Sequence, residues 1–128
     1  MTSRGIIPGR LTERIIAAGI EVHRHLGPGL LESTYEECMV IELTESGLNT
    51  VRQQCFPIIY KGKTLSTVYR LDLIVDNRTV IEIKSVDTLA PVHTAQVLTY
   101  LRVSGLRTGL LLNFNTAVLK DGVKRISL

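Results

Sequence analysis

The sequence predicts an α/β fold, with helices on both faces of one mixed central sheet. Two observations carry this prediction. Apolar residues recur at helical spacing near the start of the chain and again before residue 105, whereas the segments between them have the period of strands. TGLLLNF, residues 108–114, is an almost unbroken apolar run, typical of a strand covered on both faces. A meander of strands followed by a crossover helix and a further strand makes a layered domain.

Length and composition suit one cored domain over residues 1–128. A hydrophobic fraction of 45% indicates a globular chain, and the net charge of +3 permits a polyanionic partner without requiring one. No apolar run approaches the roughly 20 residues of a membrane span, and no signal-peptide core is apparent at the N-terminus. We therefore expect a cytoplasmic protein without membrane contact, in which Cys38 and Cys55 are reduced thiols.

Two helices are expected first. Residues 11–26 carry apolar side chains at helical spacing, and the sequence GPG at 27–29 ends this helix because Pro28 cannot continue it. A second helix is expected at residues 31–46, with Gly47 as its C-cap. The apolar stripe of the first helix can pack on the second helix or form a dimer seam, and both alternatives stay open.

Three strands follow. The first, residues 53–60, contains Pro57, which cannot donate a ladder hydrogen bond, so we expect this strand at a sheet edge. The other two, residues 67–75 and 79–85, are joined by the turn signal Asp-Asn-Arg at 76–78.

Helical spacing returns over residues 90–104 and ends at Gly105. The apolar strand at 108–114 follows. The tail VLKDGVKRISL is expected to form a small hairpin around Asp121-Gly122.

Two charges interrupt the apolar sequence TVIEIKSV at residues 79–86. Strand side chains alternate between faces, so Glu82 and Lys84 share one face. In the preceding strand Arg70, Asp72 and Ile74 are expected to share one face, opposite three apolar residues. Those residues are Leu71, Leu73 and Val75.

A three-residue loop at 76–78 pairs Val75 with Thr79 and sets Asp72 opposite Glu82, with Cβ atoms about 4.5–5.5 Å apart. Two carboxylates so placed repel each other, and Mg²⁺ resolves the conflict. Lys84 can then neutralise a phosphate or orient an attacking water. The alternatives are a solvated Glu82–Lys84 ion pair without function and a two-residue loop, which would put the two acids on opposite faces.

The helices supply further polar candidates. Gln96 and Tyr100 lie four residues apart on one face of the later helix, and Glu32, Tyr35 and Glu36 share a face of the second helix. Each set has an ordinary alternative. A Gln–Tyr pair is often a polar helix edge, and acids near a helix N-terminus interact favourably with the helix dipole.

GLLESTY at residues 29–35 resembles the signature of the GxxExxY proteins, and YRLDLIV, VIEIKSV, AQVLTYL and GLLLNF follow in the family's order. The resemblance covers nearly the whole chain, from about Leu11 to the terminal KDGVKRI. That family is similar to the RecB-type branch of the PD-(D/E)XK superfamily. The resemblance implies a restriction-endonuclease-like αβββαβ core with an extra N-terminal helix and a C-terminal hairpin. The proline of the PD motif is absent, because Leu71 precedes Asp72.

The resemblance also implies hydrolysis of phosphodiester bonds in nucleic acid, DNA being favoured, with Mg²⁺ or Mn²⁺ as cofactor. Asp72 resembles the first motif acid, residues 82–84 resemble the (D/E)XK triplet, and Gln96 and Tyr100 are similar to the QxxxY element of RecB-type enzymes. The implied catalytic residues are Lys84, Asp72, Glu82 and Gln96. The implied metal ligands are Asp72, Glu82, Glu32 and the carbonyl group of Ile83. The implied contacts with nucleic acid are Tyr100, Gln96, Tyr35 and Arg70.

Six basic residues are candidates for phosphate contact, each with a solvated surface charge as its alternative. They are Lys61, Lys63, Arg70, Arg78, Arg102 and Lys124. Three function classes remain open at this point: an active nuclease, a nucleic-acid-binding module that needs a partner for turnover, and a protein scaffold without catalysis. A homodimer or a complex with a partner protein is compatible with all three.

Overall fold

The computed structural model describes residues 8–128, with side chains from residue 10 onward. The helices of this part of the chain are α1 (Pro8–Leu26), α2 (Glu32–Glu45) and α3 (Pro91–Ser104). Its strands are β1 (Thr50–Tyr60), β2 (Lys63–Val75), β3 (Thr79–Lys84), β4 (Thr108–Asn113) and β5 (Val123–Ser127). A short 3-10 helix, Leu119–Gly122, precedes β5.

The strands form one mixed sheet in the order β1-β2-β3-β4-β5. β1, β2 and β3 are an antiparallel meander. α3 then crosses over, so that β4 runs parallel to β3, and β5 returns antiparallel to β4. The predicted mixed sheet is therefore confirmed.

Helices cover both faces of this sheet, as predicted for the α/β class. α1 and α2 pack on one face, where the buried strand residues are Leu73, Val75, Ile81, Ile83, Leu110 and Leu112. α3 packs on the other face through Val97 and Leu101. The strand residues beneath it are Leu71, Ile74, Val80, Leu111 and Ile126. None of the helices within residues 8–128 has both the length and the apolar character needed to cross a bilayer.

The turn between β2 and β3 has three residues, because Val75 pairs with Thr79. Asp76 and Asn77 both adopt left-handed backbone conformations, with φ of 52° and 53°, which Asn and Asp tolerate better than most residues. The Asp76 carboxylate accepts the Asn49 N–H at 2.9 Å, which ties the turn to the start of β1. The register predicted from the turn signal is confirmed.

Pro57 lies on β1, which is an edge strand as predicted. β1 and β2 extend further than the sequence indicated, from Thr50 and from Lys63. The added residues are polar or mixed, so they lacked the alternation by which strands are recognised.

The predicted C-terminal hairpin around Asp121-Gly122 is wrong. These residues lie at the end of the 3-10 helix, and β5 pairs with β4 instead of with a strand of the tail. Gly122 is buried against β4, where a Cβ atom would collide with the carbonyl oxygen of Asn113. The glycine therefore allows a close approach of backbones, a second use of glycine besides the hairpin turn.

Gly122→Ala should destabilise the protein because the added methyl group meets backbone and has no room to move away. Overpacking of this kind costs about 1–3 kcal/mol, and urea denaturation would show it as a lower midpoint. Ser127→Ala, at an exposed position of β5, is the control and should leave the midpoint within about 0.5 kcal/mol of wild type. A wild-type midpoint for Gly122→Ala would contradict the close approach.

Candidate functional site

The candidate site lies where β2 and β3 separate. Their ladder ends at the pair Leu73–Ile81, and beyond it the Asp72 carboxylate accepts the N–H of Ile83 at 2.9 Å. A side-chain oxygen here takes the place of a strand carbonyl, which keeps the buried amide paired. Since Val75 pairs with Thr79, the predicted placement of Asp72 beside Glu82 follows from the observed register.

The alternation of faces in β2 is interrupted at Asp72. Leu73 and Val75 pack beneath α1 and α2, but Leu71 packs beneath α3 with Ile74. The expectation that Leu71 shares a face with Leu73 is therefore wrong. The cause lies opposite in β1, where Gln53 has a left-handed φ of 54° and the ladder skips the Gln53–Asp72 pair.

Glu82 and Lys84 project from the same strand toward the α3 side. The Lys84 Nζ lies 3.4 Å from Oε2 of Glu82, and the two side chains are only 15% and 6% exposed. The alternative of a solvated ion pair is thus contradicted by burial. Among the described residues, Oε1 of Glu82 is buried and has no hydrogen-bond partner, which is rare for a native carboxylate.

Both carboxyl groups hold their protons more tightly than usual. Burial, followed by the negative charge of Asp72, raises the pKa of Glu82 to about 8, although the positive charge of Lys84 acts in the opposite direction. Burial also raises the pKa of Asp72, and the charge of Glu36 adds to this, while the Ile83 amide and Gln53 oppose it. The site is therefore a pair of desolvated acids whose charges repel when both are ionised.

α3 brings Gln96 and Tyr100 to this pair. The pKa of the Tyr100 phenol is raised to about 12, first by burial and then by the charges of Glu82 and Asp72, with the Gln96 side chain opposing the rise. A cleft of about 500 Å³ is lined by Gln96, Tyr100 and Lys84, and neither Asp72 nor Glu82 belongs to its lining. Its lining includes Tyr69, Lys84, His93, Gln96 and Tyr100.

Glu32 lies beside the carboxyl end of β3 and contacts the residue that follows Lys84. Its carboxylate accepts the N–H of Ser85 at 3.0 Å, and the hydroxyl of Ser85 donates to the Leu30 carbonyl at 2.8 Å. These two bonds tie the start of α2 to the residue after Lys84. Glu32 is exposed, unlike Glu82.

Glu36 is the acid of α2 that reaches the site, which the sequence leaves open between a site residue and an acid that interacts with the helix dipole. It is buried, and its two oxygens accept from Gln53 at 2.7 Å and from Nε of Arg52 at 3.0 Å. Gln53 also donates to Asp72 at 3.3 Å. Neighbouring residues of a regular strand face opposite ways. Arg52 and Gln53 can both reach the Glu36 carboxylate because Gln53 has a left-handed backbone conformation. No sequence signal marks this conformation.

Two further predicted contacts lie elsewhere. Tyr35 is fully buried and stacks on Phe114 with ring centroids 4.4 Å apart. Its hydroxyl donates to the Gly27 carbonyl at 2.6 Å and accepts the Leu30 N–H. The expectation that Tyr35 contacts nucleic acid is therefore wrong, because the ring is part of the core. Arg70 is exposed on β2, beyond the point where β3 ends its pairing.

The acidic pair fits a divalent cation without forming a larger ligand cluster among the described residues. No group of three or more His, Cys, Asp or Glu side chains converges on one point within residues 8–128. Asp72 and Glu82 nevertheless fit Mg²⁺ or Mn²⁺, which take hard oxygen ligands and need only one or two carboxylates from a protein. The orphaned Oε1 of Glu82 supplies a free lone pair. The carbonyl of Ile83 leaves the strand on the same side as its amide, toward Asp72.

Without divalent cation, the protein should lose stability as pH rises from about 4.5 to about 8. The unfolded chain releases the Glu82 proton near its usual pKa of 4.5, whereas the folded protein keeps it to about 8. The folded state then binds more protons, which gives a falling slope. Glu82→Gln should remove the part of this loss that is due to Glu82 and, at pH 8 in EDTA, exceed wild-type stability by more than about 1.4 kcal/mol, the value of one pKa unit.

Urea denaturation of both proteins across this pH range provides the measurement. Glu45→Gln, at an exposed position of α2, is the matched control and should follow the wild-type curve. Parallel curves for wild type and Glu82→Gln would show that burial of the Glu82 charge is not costly.

The comparisons with known proteins agree with this geometry. The model of a family described as the PD-(D/E)XK nuclease superfamily matches residues 9–126. The searches of curated proteins and of solved structures give no match. The matched segment contains the three-stranded meander, the crossover helix and the paired acids with their lysine. The chain therefore belongs to the PD-(D/E)XK nuclease superfamily and has its restriction-endonuclease-like α/β fold.

Proposed function

We propose that this protein is a divalent-metal-dependent nuclease that hydrolyses phosphodiester bonds in DNA. The observation that carries the proposal is the buried Oε1 of Glu82, which lacks a partner among the described residues although it lies in a pair of repelling acids. A bound cation would supply the missing partner and relieve the repulsion, since opposite charge favours the ionised form. Membership of the nuclease superfamily supports the same conclusion.

Asp72, Glu82 and the Ile83 carbonyl would hold Mg²⁺ or Mn²⁺. Such an ion, when bound, lowers the pKa of water and stabilises negative charge on phosphate oxygens. The proposal that Glu32 is a ligand has weaker support, since its carboxylate is engaged by the Ser85 amide. Glu36 acts on the pair through Gln53, which donates to both Glu36 and Asp72.

Lys84 places a positive charge at the floor of the cleft. Its ammonium group contacts Glu82 and its side chain lines the cleft, so it can bind a phosphate oxygen and orient the attacking water. Gln96 lines the same cleft and would orient Lys84 or the phosphate. Tyr100 keeps its proton because its pKa is about 12, so its hydroxyl remains available as a hydrogen-bond donor to the backbone of the nucleic acid.

Two finer assignments are also part of the proposal. We place the chain in the GxxExxY, RecB-like branch of the superfamily, which the signature residues Gly29, Glu32 and Tyr35 support. We also propose that it acts in the cytoplasm. Within the described part of the chain Cys38 and Cys55 are free thiols, as is usual in reducing compartments.

Lys84→Ala should reduce cleavage of DNA with Mg²⁺ or Mn²⁺ by at least about 100-fold, because a fixed charge at a reacting phosphate is typically worth that much. Cleavage of labelled linear, nicked and single-stranded DNA would be followed on gels. Lys120→Ala, at an exposed lysine of the 3-10 helix, is the control and should cleave at the wild-type rate. Equal cleavage by Lys84→Ala and wild type would remove the catalytic role. Wild-type inactivity with intact DNA binding would favour a binding module that needs a partner protein.

Saturating Mg²⁺ or Mn²⁺ should raise the melting temperature of the wild type. A ligand at about 100 times its dissociation constant stabilises by about 2.7 kcal/mol. Asp72→Asn and Glu82→Gln should abolish this gain, whereas Glu45→Gln should retain it. No metal-dependent change in the wild type would favour a scaffold without a metal site.

A further inference from the structure

The outer parts of β1 and β2 form a ribbon of only two strands. The two strands pair from Thr50–Val75 out to Tyr60–Lys63, but β3 joins β2 only from Leu73 to Val75. Residues 54–70, here called the arm, therefore extend beyond the rest of the sheet. Every residue from 61 to 70 is exposed. At about 3.3 Å per residue the arm is about 20 Å long.

The arm carries the net positive charge of the chain. Residues 54–70 contain Lys61, Lys63 and Arg70 but no Asp or Glu, a formal charge of +3 that equals the charge of the whole chain. The remaining residues therefore sum to zero. These three basic side chains form no salt bridge within residues 8–128. Their charge is thus available to an anionic partner.

Apolar and aromatic side chains are exposed on both faces of the arm. Val68 and Tyr69 are neighbours in β2 and so face opposite ways, yet both are exposed, at 48% and 37%. Ile59 and Tyr60 near the tip are 67% and 60% exposed. A bare two-stranded ribbon is marginally stable in water, so a partner that surrounds both faces fits better than one that covers a single face.

A duplex groove meets these requirements. The major groove of B-DNA admits a two-stranded β-ribbon, and its walls are lined by phosphates that attract Lys and Arg. A second copy of the chain fits less well. Two arms of charge +3 repel each other, and Pro57 removes a donor from the β1 edge, which hinders strand addition there.

The base of the arm is also the rim of the cleft. Tyr69 lines the cleft together with Lys84, and its ring lies 6.0 Å from that of Tyr100. Phe56, directly opposite Tyr69 in the ladder, packs against the core beneath α3. A groove that received the arm would bring a sugar-phosphate backbone to the cleft.

From these observations we infer that the arm inserts into the major groove of duplex DNA and delivers one strand to the cleft at Lys84. The inference rests on the proposed function in taking DNA as the substrate, and it adds the form of the DNA and the element that holds it.

The test is binding of a fluorescein-labelled 20-base-pair duplex, followed by anisotropy in EDTA from 50 to 200 mM NaCl. The arm variant Lys61→Gln/Lys63→Gln/Arg70→Gln should bind at least tenfold more weakly at 50 mM. Its slope of log K against log salt should be shallower by about 2–3, since each phosphate contact contributes about 0.9. The control Arg107→Gln/Lys120→Gln/Arg125→Gln removes three exposed charges elsewhere and should bind within twofold of wild type.

Wild-type affinity of the arm variant, or an equal loss in the control, would overturn the inference. Tighter wild-type binding of the single strand than of the duplex would overturn insertion into a groove. A DNA-free dimer that dissociates on Val68→Lys, with duplex binding unchanged, would assign the arm to a second copy instead. Circular dichroism of each variant checks that it is folded.

Because DNA binding is measured in EDTA, where no metal-dependent hydrolysis occurs, the inference about the arm and the proposal of hydrolysis can be refuted independently. Loss of duplex binding in the arm variant together with full cleavage by Lys84→Ala would retain the arm and remove the catalytic proposal. The converse result would retain catalysis and remove the arm.

Discussion

The hydrogen bond from the Ile83 amide to the Asp72 carboxylate is the contact on which the site and the arm both depend. A buried strand amide must be paired, and this one is paired by a side chain at the point where β2 leaves β3. Because the Asp72 carboxylate pairs this amide, β2 can separate from β3 without leaving a buried N–H unpaired. It also fixes one acid beside Glu82 and leaves the outer half of β2 free to form the ribbon with β1.

The same contact forces an electrostatic conflict on the folded protein. Asp72 is desolvated next to Glu82, with Glu36 close enough for its charge to raise the pKa of Asp72. Lys84 offsets part of this repulsion, but one oxygen of Glu82 is left unpaired among the described residues. Packing of the sheet between its helices holds the acids together, so the fold sustains an arrangement that the charges alone would disperse.

The sequence predicted the parts of this protein that follow from period and turn chemistry. The order of helices and strands along the chain and the loop at residues 76–78 could be predicted because apolar residues keep a regular period around a strong turn signal. The tail was misread because a glycine required for close approach at Gly122 looks the same as a turn glycine. Tyr35 was misread because a motif residue can be a core residue. The contacts of Glu36 with the site could not be predicted because they depend on the left-handed backbone of Gln53, which is not a glycine.

Gln53 lowers the stability of the folded chain through its backbone but supplies the side chain that joins two acids of the site. A side chain in the left-handed region costs about 1–2 kcal/mol relative to glycine, so glycine would be the easier residue for the backbone at that position. Glycine, however, has no amide group to join Glu36 and Asp72. Changes far from β1 are therefore a safer route to a more heat-resistant protein than relaxing the left-handed backbone at Gln53.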